Sequence, residues 1–295
     1  MSTLTAVPVP VRPRTTARRA RGRKTLYWIA THSLAIVLAI IFVAPIVFVF
    51  LTALMTDEQA LTSQLWPQTW NWENFVTVFA KSELLRWVWN TFFYAGLGTI
   101  FTLLSSVPVA YALSRFRFRG RRLAFLLVIT MMMLPPQVIA VPIYTLWARL
   151  DLTGTLWPLI LPMLFGDAFT IFLLRQFLIT IPRDYTDAAR VDGCSDFKTL
   201  IRVILPMAKP AIAAVALFQF FYCWNDYYGP LLYVQTADEG DWTLSLGLAT
   251  FKALHSVQWN LTMAATLLVT APVIIIFFFA QRVFIEGVTL TGVKG

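Results

Sequence analysis

An all-α integral membrane fold, with six transmembrane helices and a helical hairpin between helices 4 and 5, follows from three features of the 295-residue chain. It is 58% hydrophobic and only 13% charged, with a mean hydropathy of +0.68, which is too apolar for an ordinary soluble domain. Apolar runs long enough to cross a bilayer alternate with short polar segments. Of the 24 Lys and Arg residues, only Lys81, Arg86, Arg149 and Lys252 fall on the segments assigned to one side, and the other 20 fall on the opposite side. That asymmetry predicts a multi-pass membrane protein with both termini and the hairpin in the cytoplasm. The net charge of +9 is spread along the flanks of apolar runs instead of forming one basic stripe, so no nucleic-acid partner is expected.

Residues 1–26 read as a disordered basic tail with seven Arg and Lys from Arg12 to Lys24, and 27–295 as the transmembrane domain. The first span, 27–54, is too long for a signal-peptide core and lacks a small-residue cleavage site, so it is expected to be retained. His32 at its start reads as a packing residue. Segment 55–85 carries acidic residues with Trp66, Trp70 and Trp72, which suit an interfacial belt on the outer face. The second span, 87–113, ends in the basic turn 115–122. In the third span, 123–147, Pro135, Pro136 and Pro142 remove backbone donors and predict a bend or break. The fourth, 156–178, carries Asp167 and Arg175, two turns apart and read as structural. The fifth, 211–234, holds Gln219, Tyr222, Trp224, Asn225, Asp226, Tyr227 and Tyr228, polar groups expected to face protein or water. Segment 235–258 is expected along the outer surface through Leu244, Leu246, Leu248 and Phe251, before a sixth span at 259–284. Cys194 and Cys223 read as packing residues without a disulfide, and Asn260-Leu261-Thr262 as a chance sequon.

The hairpin occupies loop 179–210. Pro182 can start a short helix, Asp184 can serve as N-cap or first-turn acid, and Gly193 is a natural left-handed stop. A second helix should run from Ser195 or Asp196 through Phe197, Leu200 and Ile201 to a break at Pro206. Ala188 and Ala189 are small enough for a partner backbone to approach, with Asp187, Arg190 and Asp192 around the rim.

The spacing Asp187-Ala188-Ala189, three residues, Gly193, nine residues, Val203-Ile204-Leu205-Pro206 resembles the signature loop of ABC importer permeases, with Asp187 for Glu and Val203 for Ile. Ala110-Tyr111-Ala112-Leu113-Ser114-Arg115, Trp224-Asn225-Asp226, Pro230-Leu231 and the run from Thr243 to Leu248 resemble the maltose and glycerol-3-phosphate branch, as does the C-terminal stretch from Gly287 to Gly295. The resemblance implies a non-catalytic permease subunit for a sugar or polyol, paired with a second homologous permease, two ATPase subunits and an extracytoplasmic substrate-binding protein. It implies that Asp187, Ala188, Ala189 and Gly193 form the coupling helix docked on an ATPase, with Arg190 and Asp192 at its rim and Leu205 and Pro206 joining it to the fifth span. ATP and magnesium would be held by the ATPases. No Walker loop occurs in this chain, and no metal-binding motif or catalytic constellation is found.

Tyr222, Trp224, Asn225 and Asp226 are the candidate substrate-pathway residues, since sugar hydroxyls suit aromatic faces with a few polar groups. The alternative is a self-contained, ion-driven secondary carrier. That would require intramembrane carboxylates, for which only Asp167 and Asp226 qualify, and commonly an internal repeat, which is not evident.

Overall fold

The computed structural model describes residues 14–254 and 258–292, so His255 lies outside the described residues. Helix α1 (Arg14–Ala53) begins well before the apolar run, and residues 1–13 of the expected basic tail lie outside the described residues. Arg and Ala are good helix formers and here extend an existing helix, which avoids the cost of a new nucleus. Its far end is sealed by Asn74, whose Nδ2 donates to the Ala53 and Met55 carbonyls, both at 2.9 Å. Short helices α2 (Asp57–Ala60) and α3 (Glu73–Lys81) lead into α4 (Leu84–Arg115). Next come α5 (Arg121–Met133), a 3-10 turn over Pro136–Ile139, and α6 (Ala140–Arg149), with a 91° bend where Pro135 and Pro136 stand. Then follow α7 (Trp157–Ile160), a 3-10 turn (Leu161–Phe165) and α8 (Ala168–Thr180).

The hairpin is α9 (Asp184–Val191) and α10 (Asp196–Thr199), which passes through a π turn (Leu200–Ile204) into α11 (Leu205–Asn225). The chain closes with α12 (Tyr228–Tyr233), α13 (Leu244–Leu254) and α14 (Trp259–Gly292). Among the described residues five helical stretches are long and apolar enough to cross a bilayer, and the bent pair α5 and α6 supplies a sixth.

Helix α4 is the centre. Ala95, Gly98, Thr102, Ser106 and Ala110 are buried along it, a stripe of small side chains that lets α8 and α11 pack close against it. Two cores lie along its length. One gathers Trp87, Tyr94, Trp224, Trp242, Leu244 and Leu246. The other gathers Tyr111, Leu174, Leu178, Leu200 and Ile204 and seats the hairpin.

The fourth span stands at Trp157–Thr180, with a break in the helix at Gly166 and Asp167. Three expectations need correction. The fifth span ends at Asn225 rather than 234, because Asp226 turns extended and starts a new corner. Within segment 235–258, Leu244 and Leu246 do not lie on a surface: both are fully buried on α13, which packs against α4 and α14. Pro206 does not break the hairpin's second helix: the π turn precedes it, with the Leu205 N–H reaching the Leu200 carbonyl. Widening the preceding turn gives the proline ring room that a regular turn would deny.

Candidate functional site

The hairpin turns a well-defined face outward. In α9, Thr186 and Ala189 are buried, whereas Asp187, Ala188, Arg190, Asp192 and Gly193 are exposed. Ala189 therefore packs inward and is not part of the outward face. Gly193 adopts φ +76°, and its N–H reaches the Arg190 carbonyl at 3.0 Å while the Cys194 N–H reaches that of Ala189 at 2.9 Å, so the last carbonyls of α9 are satisfied. Asp184 sits in the first turn of the helix, and Ser195 caps α10 by accepting from the Lys198 N–H at 3.4 Å. Arg190 lies between two carboxylates, 3.1 Å from Asp196 and 3.8 Å from Asp187. The hydrogen bond and charge of Asp196 raise the Arg190 pKa above its ordinary value. Tyr185 and Val191 escaped the sequence reading, and Phe197 was named there only as part of the second helix; all three are large and exposed, Val191 at 88% and Phe197 at 70%. The signal for Tyr185 and Val191 was present, since they recur at helical spacing on the face of Ala188.

The hairpin is anchored by Arg115, which the sequence placed at the start of the basic turn 115–122. Its guanidinium is buried and Nη2 donates to the Leu178 and Ile181 carbonyls, both at 2.9 Å, at the end of α8. We expect Arg115→Met to lower stability by about 1.5–3 kcal/mol, the range for hydrogen bonds to charged groups. A thermal melt of the detergent-solubilised protein measures this. Arg175, which the sequence reading took as structural, holds its guanidinium 3.8 Å above the Phe125 ring.

At the far end of α11 lies a cavity of 720 Å³. Three interruptions of helical structure converge on it: Pro136–Ile139, Gly166 with Asp167, and Asp226 with Tyr227. Irregular backbone at membrane depth is tolerated where it borders a cavity and its polar groups find partners. Much of that partnering comes from α4. Ser105 Oγ donates to the Met163 carbonyl at 2.8 Å, and Ser106 Oγ accepts from the Asp167 N–H at 3.0 Å. Tyr94 OH donates to Asp226 Oδ2 at 2.9 Å, while Asp226 Oδ1 accepts from the Gly229 N–H at 3.0 Å. Ser245 Oγ donates to the Asp226 carbonyl.

Of the residues expected in the pathway, Tyr222, Asn225 and Asp226 border this cavity. Trp224 does not: it is 3% exposed, stacked on Phe220 and edge-on to Phe92, because it occupies the opposite side of α11. Asp167, read from sequence as purely structural, both caps α8 through the Thr170 N–H at 2.6 Å and borders the cavity. Tyr94 was missed. A tyrosine followed by the small residues Ala95 and Gly98 in an apolar span was its only sequence signal. Asn260 of the sequon is buried, and its Nδ2 faces Asn74 Oδ1 at 3.4 Å.

Residues 98–289 match the family model described as binding-protein-dependent transport system inner membrane component. The chain is 32% identical to the arabinooligosaccharides transport system permease protein of Halalkalibacterium halodurans, a match covering 92% of this chain and 99% of that protein. It is 31% identical to a diacetylchitobiose uptake system permease protein of Streptomyces coelicolor, covering 88% and 95%. In three dimensions it resembles a chain of a bacterial ABC transporter involved in the import of the acidic polysaccharide alginate, with a TM-score of 0.74 over 93% of this chain and 99% of that one. At 24% identity this likeness concerns the fold.

Proposed function

The chain belongs to the binding-protein-dependent transport system inner membrane components, and from that premise we propose that it forms half of the membrane path for a saccharide. It is an ABC importer permease and not a self-contained ion-driven carrier. The remaining half would come from a second homologous permease, with two ATPase subunits holding ATP and magnesium and an extracytoplasmic binding protein delivering the substrate. Both termini and the hairpin would lie in the cytoplasm of a prokaryotic cell. Relatives named for arabinooligosaccharide and diacetylchitobiose transport support a sugar as cargo.

The observation that carries this reading is the unbroken helical stretch Asp196–Asn225. One end is the outward hairpin and the other borders the cavity through Tyr222 and Asn225. At 1.5 Å per residue it spans about 45 Å, so a displacement of the hairpin by an ATPase reaches the cavity as rigid-body tilt. Leu205 and Pro206 lie within this rod and act as its connection. Asp187, Ala188, Arg190, Asp192 and Gly193, joined by Tyr185, Val191 and Phe197, are the docking contacts; Ala189 supports them from inside. Purifying the permease from its native membrane in mild detergent tests the proposal. A second permease and a Walker-type ATPase should co-purify, with ATP turnover rising when sugar-loaded binding protein is added. A stably folded chain that purifies alone without ATPase activity would overturn it.

The cavity carries Asp167 and Asp226 and five tyrosines, with no Lys, Arg or His among its lining residues. Such a wall suits neutral or cationic saccharides and repels uronates and phosphorylated sugars. With Cys194→Ser in the background, Gln137→Cys should react with a cationic methanethiosulfonate about tenfold faster than with an anionic one. Asp167→Asn and Asp226→Asn together should bring the two rates close, since Asn can retain both capping roles.

A further inference from the structure

A second concavity, lined by none of the cavity or docking residues, lies where the turn between α4 and α5 meets the start of α9. It measures 470 Å³ and is lined by Arg117, Phe118, Arg119, Arg121 and Arg183. No carboxylate lines it, and the side chains of Arg117, Arg119 and Arg183 form no ion pair or hydrogen bond among the described residues. Arg121 is steadied by donating to the Phe116 carbonyl at 3.0 Å. Converging guanidinium groups repel one another, and Arg183 also stands at the positive end of α9, where a cation is disfavoured. Helix α5 points its uncapped N-terminus toward the same turn, since Gly120 offers no capping side chain. Each of these features is relieved by an anion.

The shape of the surroundings selects the kind of anion. A neighbouring concavity of 760 Å³ shares Phe118 and Arg121 and continues along Leu123 and Leu126. Phe118, Leu123 and Leu126 are exposed at 47%, 61% and 55%, so an apolar strip on the membrane-spanning α5 begins where the arginines end. A free phosphate would use only the first concavity. A phospholipid uses both, with its phosphate among the arginines and an acyl chain along α5.

We propose that this is a binding site for an anionic phospholipid on the hairpin face of the membrane. The headgroup joins the turn between α4 and α5 to Arg183, the residue from which α9 starts, so the lipid fixes the resting position of the hairpin. Only the choice of leaflet rests on the importer reading. The site itself depends on the arginines and the apolar strip.

The test uses the complex purified in mild detergent and returned to nanodiscs of phosphatidylcholine with or without phosphatidylglycerol. Mass spectrometry of the detergent-washed complex should find phosphatidylglycerol retained. The triple variant Arg117→Gln, Arg119→Gln, Arg183→Gln should lose it, with affinity falling about fivefold per arginine and so about a hundredfold in all. Arg202→Gln, an exposed cation of the hairpin outside the concavity, should leave retention unchanged. Soluble glycerol phosphate should compete weakly, and Leu126→Gln should weaken phosphatidylglycerol without affecting it. If Arg202→Gln weakens retention as much as one concavity arginine, only general surface charge is at work and the proposal fails. Equal competition by inorganic phosphate would make this a phosphate site and not a lipid site. Should the triple variant not assemble, Arg117→Gln and Arg119→Gln singly, both at exposed positions, give the same reading. Loss of co-purifying ATPase with phosphatidylglycerol still retained would count against the importer reading alone.

Discussion

Replacing Gly193 with Trp should reduce ATP-driven uptake about a hundredfold, the scale of losing a strong interface contact, while the chain still inserts in the membrane. Gly193 holds φ +76°, and a Cβ there meets nothing within 4 Å. The substitution therefore costs roughly 1–2 kcal/mol of left-handed backbone strain at an exposed turn and no clash inside the chain. Its effect must come from outside, where an indole would stand between the hairpin and the ATPase that we propose docks there. Gly193→Asn is the control, because Asn tolerates the left-handed region and is short. It should keep most of the activity. Uptake into cells, together with the amount of ATPase co-purifying, reads both variants. Normal transport by Gly193→Trp would remove this face from the docking surface.

Gly247→Val should prevent the permease from accumulating. A Cβ on Gly247 would clash with Cδ2 and Cε3 of the Trp87 ring. That ring has little freedom to withdraw, since its Nε1 donates to the Glu239 carbonyl at 2.6 Å and it stacks on Trp242 at 6.4 Å between ring centroids. Overpacking in a core ordinarily costs about 1–3 kcal/mol, and a pinned aromatic places this case at the upper end or beyond. Fluorescence-detected size exclusion should show little monodisperse protein. Combining Gly247→Val with Trp87→Leu should restore part of it. A Gly247→Val protein that melts like the wild type would mean that α13 does not pack as described.

The legible and illegible parts of this chain divide along one physical line. Span number, the bend at Pro135 and Pro136, and the hairpin with its Gly193 stop were readable because hydrophobic length, a missing N–H and a positive φ are properties of a few consecutive residues. Pro206 shows where such a rule gives way. Alone it predicts a break, yet Leu200 and Ile204 are seated in the core beneath the hairpin, and a widened turn carries the helix through. Trp224 and Asp226 show the same limit. They stand two and four residues after Tyr222, but one is buried against Phe92 and the other borders the cavity.

Local chemistry thus established that the chain crosses a bilayer and which stretch leaves it to form the hairpin. Three-dimensional neighbours chose which polar side chains surround the cavity. Beside their local partners, Asp167 and Asp226 at interrupted helices form hydrogen bonds with Ser106 and Tyr94 of α4, 61 and 132 residues earlier. Partners that distant in sequence become visible only once the helices have packed.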